Sequence, residues 1–135
     1  MPAIAPLSPT YAVARADFLD AAAAAGATVT TYPHPLTGLR AIDGVEIRGI
    51  TNLERLSHRV PTVSFTRPGL DNTAVARHLA DHNVYVWSGH NYALPVVDAL
   101  GIRDQGVVRV GPTHYNTLDE IDTVVALAAE FLRAG

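Results

Sequence analysis

His78 and His82 stand four residues apart in a stretch that reads as a helix, a spacing that lets two imidazoles face one metal ion. No third ligand accompanies them, so the pair reads as polar side chains on a solvated helix face. Ser64 and Ser88 lack a histidine and an acid at any fixed spacing, which sets serine hydrolysis aside. Gly89 and Gly111 are isolated and make no phosphate-cradling run. Two absences say more. With no cysteine there is no disulfide, thiolate ligand or thiol nucleophile, and all ten basic residues are arginine, so no lysine amine is present for Schiff-base chemistry. Arg109 lies inside the apolar run Val107-Val-Arg-Val110. A guanidinium fork binds a carboxylate through parallel hydrogen bonds. On pattern alone the nearby partners are Asp98 and Asp104.

The 135 residues fit one domain with one core, and an apolar content of 48% against 17% charged residues excludes a disordered chain. A net charge of −3 gives no footprint for nucleic acid or an anionic membrane surface, so neither is an expected partner. No apolar run, Ala21 to Ala25 among them, comes near the roughly 20 residues that span a bilayer. With no basic, then apolar, N-terminal segment, the expected location is the cytoplasm.

These residues need elements to position them. Ser8-Pro9-Thr10 opens a helix expected to run from about Thr10 to Ala25, closed by Gly26, followed by a short edge strand from Ala27 to Tyr32. Leu36 to Gly44 shows glycine without periodicity and reads as a loop, the expected internal seam. Val45 to Ile50 and Val60 to Arg67 read as an antiparallel pair of strands. Asp71 or Asn72 caps a helix that Asn83 ends before an apolar strand, Val84 to Trp87. Ser88 to Tyr92 is a loop, and a short helix through Leu94 and Val97 to Leu100 stops at Gly101. A strand, Val107 to Val110, precedes Thr117 and Glu120, a capping box for a terminal helix carrying Ile121, Val124, Val125, Ala128, Phe131 and Leu132. The expected fold is α/β (α+β), a small mixed or antiparallel sheet with helices packed on one face.

The segments His58-Arg-Val-Pro-Thr-Val-Ser-Phe-Thr66, Asn72 to His82, Val84 to Pro95 (Val-Tyr-Val-Trp-Ser-Gly-His-Asn-Tyr-Ala-Leu-Pro), Val107-Val-Arg-Val-Gly111 and Tyr115-Asn-Thr117 to Asp122 follow in order. Together they resemble the C-terminal small domain of class V aminotransferases and cysteine desulfurases, fold-type I enzymes that use pyridoxal phosphate. The resemblance implies that Arg109 holds a substrate carboxylate and that Gly89, His90, Asn91 and Tyr92 form the active-site loop. Tyr92 stands where desulfurases of the family carry cysteine, and a phenol with a pKa of about 10 cannot replace a thiolate. Trp87 and Tyr92 are expected to pack in the core and at its rim.

Ala16 to Ala27 and Tyr32-Pro-His-Pro-Leu-Thr-Gly38 resemble the beginning of a zinc-carboxypeptidase-like family, whose zinc ligands would lie beyond the matched region. The division that follows is a helix-strand extension over 1–41 and a small domain over 42–135. If both resemblances hold, the chain joins two truncated pieces across Leu39 to Gly44. No catalytic residue, no metal and no cofactor is expected in this chain alone; pyridoxal phosphate enters by resemblance, if a large domain completes the enzyme. The expected partner is a second copy of the chain or a separate large-domain chain.

Overall fold

The computed structural model describes residues 34–52, 54–55, 60–113 and 116–134. The helix expected at Thr10 to Ala25, the strand at Ala27 to Tyr32, and the matched residues His58, Arg59 and Tyr115 lie outside the described residues.

Alternation builds the sheet. In β2 (Val63–Thr66), Val63 and Phe65 turn to the core while Ser64 and Thr66 take the other face, the two-residue period of a strand. In β4 (Val107–Val110), Val108 and Val110 face the core, leaving Val107 and Arg109 opposite. With β1 (Glu46–Arg48) and β3 (Trp87–Gly89) they form a four-stranded antiparallel sheet in the order β1-β2-β4-β3. β2 and β3 flank β4 and are joined through α2 (Asn72–Asp81), a split βαβ arrangement. The expected antiparallel pairing of the first two strands is present as β1 with β2. The apolar strand expected at Val84 to Trp87 begins only at Trp87, while Val84 and Val86 pack against the core.

Among the described residues, three helices cover one sheet face. α1 (His34–Arg40) contributes Leu36 and Leu39, α2 contributes Val75 and Leu79, and α4 (Leu118–Ala134) contributes Ala128, Ala129 and Leu132 to one core with Val63, Phe65, Val108 and Val110. α1 corrects the expected loop at Leu36 to Gly44. Leu36 and Leu39 are three apart, the spacing of one helical face. Gly38 sits where α1 crosses α4: a Cβ there would lie 2.8 Å from a Val125 methyl, so this glycine serves close helix approach, not a turn. Ile42, just past the helix, is buried in the same core.

The helix ends follow local chemistry. Asp71 accepts a bond from the Thr73 N–H at 2.8 Å and caps α2. At its other end Asn83 takes φ 62°, and Asn83 and Val84 donate to the Ala80 and Leu79 carbonyls, the paired bonds of a left-handed cap. α3 (Leu94–Ala99) ends the same way at Gly101. Before α4 the Glu120 N–H bonds the Thr117 hydroxyl while the Glu120 carboxylate takes the Thr117 N–H at 2.8 Å, the expected capping box. The Thr117 backbone N–H foremost, and the Asn116 side-chain amide after it, donate to the carboxylate and lower the Glu120 pKa. A depressed acid contributes stability above its ordinary pKa and loses it as pH falls through the folded value, so acid titration should fray the first turn of α4 before the rest. Amide exchange at Leu118 to Ile121 measured down the pH scale checks this.

α3 lies on the opposite sheet face, where Val97 and Ile102 bury Val107 in a second, smaller cluster. Among the described residues no helix is long and apolar enough to cross a membrane.

Candidate functional site

Strand register sets a row across the face away from the main core. Arg48 pairs with Ser64, Ser64 with Arg109, and Arg109 with Trp87. Cross-strand partners project to the same side, so two guanidinium groups, a hydroxyl and an indole share one surface. The Arg109 guanidinium lies 5.9 Å from the Trp87 ring centre, a cation–π contact that limits where the charge can swing. Asp98, one of the partners expected for it, is instead paired with Arg103 at 2.9 Å. Among the described residues no carboxylate takes the Arg109 guanidinium. Arg48 is held differently: its Nε and Nη2 donate to the Thr66 hydroxyl at 3.1 and 2.8 Å, and Nη2 also meets the Glu46 carboxylate.

α3 walls this row into a cleft of about 400 Å³. Arg48, Ser64 and Arg109 form its floor, Val96 and Leu100 an apolar side, and His90 and Asn91 its rim. The lining mixes apolar area with a few convergent polar groups, the usual make-up of a small-molecule site.

The rim loop is strained. Asn91 and Tyr92 take φ values of 50° and 60°, which side chains with a Cβ seldom adopt and which concentrate at functional sites. Local bonds hold it: Asn91 Nδ2 donates to the Gly89 carbonyl at 3.0 Å, and the Tyr92 N–H donates to His90 Nδ1 at 3.0 Å. The latter bond requires Nδ1 unprotonated, leaving Nε2 to carry the ring proton of neutral His90. Asn91 Oδ1 is buried without a hydrogen-bond partner among the described residues. His90, Asn91 and Arg109, expected as site residues, thus line one cleft, while Gly89 ends β3 beside His90 and outside that lining. Tyr92 projects away, 91% exposed, and Trp87 is 64% exposed, which corrects their expected packing roles. Sequence reading missed Arg48; strand alternation places it on the polar face, but only the long-range register brings it level with Arg109.

The His78 and His82 rings lie 4.7 Å apart, tilted by 52°, and His78 also packs on Phe131 at 4.9 Å. His78 is half-buried, which corrects its expected place on a solvated face. Among the described residues no third His, Cys, Asp or Glu joins them to hold a metal.

The Aminotransferase class-V family profile matches residues 15–124. The chain belongs to the class-V aminotransferase family. This one match spans both sides of the seam expected at Leu39 to Gly44. Among relatives, the aminotransferase-like protein FGM3 of Gibberella zeae is 38% identical over 60% of this chain and 20% of its own length. A probable cysteine desulfurase of Pyrococcus abyssi is 36% identical over 69% of this chain and 22% of its own. The solved cysteine desulfurase of Thermococcus onnurineus superposes with a TM-score of 0.66 and 36% identity, covering 76% of this chain and 26% of that one. The chain therefore spans about a fifth to a quarter of the relatives it matches.

The class-V family depends on pyridoxal phosphate. The cleft's donors, two guanidinium groups, a hydroxyl, an imidazole and an amide, suit anions, but the sequence has no lysine amine to condense with an aldehyde. This chain's own residues do not fit the cofactor.

Proposed function

We propose that this class-V chain is a carboxylate-recognising small domain of the aminotransferase or cysteine-desulfurase kind, one that turns over no amino acid by itself. Arg109 carries the reading: steered by Trp87, without a carboxylate partner among the described residues, it stands on the floor of a cleft that admits a small ligand. A guanidinium so placed binds a carboxylate with orientation as well as charge. The lysine and the cofactor-binding groups then belong to a large domain that meets this face. Desulfurase chemistry through a loop thiolate is unavailable, since Tyr92 offers only a phenol.

The purified chain, supplied with pyridoxal phosphate and with cysteine or alanine, is expected to release no sulfide and no keto acid. Cofactor-dependent turnover by the chain alone would overturn the reading. Paired with a lysine-bearing large-domain chain, activity should appear and be abolished by Arg109→Ala while association persists.

A second reading rests on exposed apolar side chains around the same face: Trp87 at 64%, Tyr92, Val96 and Leu100. Patches of this kind usually become interfaces, and a second copy of the chain would cover it as an assembly module. Light scattering on the chain alone should then give a dimer or larger. A monomer at high concentration rejects this reading and leaves the first standing.

A further inference from the structure

The geometry points to Arg48 as a second anion-binding group of the cleft, so that its ligand carries two acidic groups, as a short dicarboxylate or an acidic amino acid does. The inference rests on the reading that Arg109 takes one carboxylate. Arg48 and Arg109 flank Ser64 in register, which sets their Cα atoms two strand spacings, about 10 Å, apart on one face. Ser64 is the smallest polar side chain that could stand between them, and it leaves the gap open. A carboxylate bonded at each guanidinium would fill part of that span and leave room for a short carbon chain over the hydroxyl.

The orientation of Arg48 supports this. Thr66, 1% exposed, anchors its Nε and Nη2, and Glu46 shares Nη2, so among the described residues Nη1 is the group left uncommitted. A guanidinium pinned along one side presents its remaining N–H groups with little rotamer freedom left to lose. Among the cleft's lining residues are two arginines and no carboxylate. Glu46 meets Arg48 from outside the cleft with a side chain half exposed, where an ion pair is weak and leaves much of the positive potential in place. A β1 arginine needed only for the fold would be served by its bonds to Thr66 and Glu46. The shared cleft with Arg109 adds what the fold does not require.

The test titrates the isotope-labelled full chain with succinate, and with butyrate as the monocarboxylate of equal chain length, followed by NMR at the arginine Nε–H groups and the amides of β1, β2 and β4. Succinate is expected to bind about tenfold or more tighter than butyrate, equivalent to one further charge-assisted contact. Arg48→Gln should bring succinate down to the butyrate level and leave butyrate unchanged. Glu46→Gln, which removes the competing carboxylate, should tighten succinate alone, a change that a purely structural Arg48 would not produce. Arg109→Gln should remove both ligands.

Equal affinity for the two acids, or a succinate preference that survives Arg48→Gln, overturns the role of Arg48 while leaving that of Arg109 intact. Butyrate binding that survives Arg109→Gln overturns the carboxylate reading itself. Absence of binding by either acid overturns both.

Discussion

Gly106→Ala is expected to cost about 3 kcal/mol or more, enough to leave much of the chain unfolded if its stability is typical of small domains. A Cβ at this position would lie 2.2 Å from the carbonyl carbon of Gly89, 2.4 Å from its Cα and 2.5 Å from its oxygen. Those are backbone atoms of β3, and no rotamer change can move them aside. Gly106 also has φ 64°, which by itself costs an alanine roughly 1 kcal/mol. Gly101→Ala separates the two contributions: φ is 67° there, yet nothing lies within 4 Å of an added Cβ. The Gly101 variant should lose about 1 kcal/mol by urea denaturation and the Gly106 variant several times that. Equal losses would mean that the contact between the β4 lead-in and β3 can open. Because Gly89 starts the strained rim loop, a partly folded Gly106 variant should also show altered resonances at His90 and Asn91.

Short-range rules made much of this architecture legible. The threonine and glutamate before α4, the aspartate before α2, Asn83 after it and the alternation of β2 each act within a few residues, and each does in the structure what its chemistry requires. α1 was not legible because one glycine carries two opposite meanings. In isolation Gly38 signals a turn; only Val125, far along the chain, shows that it permits two helices to touch. The site divides in the same way. Arg109 and the Gly89 to Tyr92 loop follow from an ordered resemblance, whereas Arg48 joins them through the pairing of β1 with β2 and β2 with β4, which no local pattern encodes. The exposure of Trp87 has a related cause: β3 is an edge strand, and α3 covers Val107 through Val97 without reaching the indole.

Asn72→Leu is expected to destabilise the chain by about 2–4 kcal/mol, a large effect for a change that keeps the branching of the side-chain skeleton. Asn72 is 2% exposed, and its Nδ2 donates to the carbonyls of Gln105 at 3.1 Å and Gly106 at 3.0 Å. Leucine would leave both acceptors facing an apolar group, and each unsatisfied buried acceptor costs about 1–3 kcal/mol. Gln105 in turn donates to the carbonyls of Arg67 and Leu70, so one network fastens the end of β2 and the start of α2 to the segment that launches β4 and thereby Arg109. Asn72→Asp sharpens the test. An ionised carboxylate has no proton to donate, and two carbonyl dipoles and burial would oppose its charge, raising its folded pKa above the ordinary value of about 3.9. A raised carboxyl pKa favours the folded state only when the group is protonated. The deficit of the aspartate variant against the parent chain should therefore be greatest at neutral pH and shrink as pH falls through the raised folded value. Urea midpoints of both proteins at pH 4 and pH 7 measure this; a deficit that does not change with pH would mean that solvent reaches position 72 and that the network does not seal the floor on which Arg109 stands.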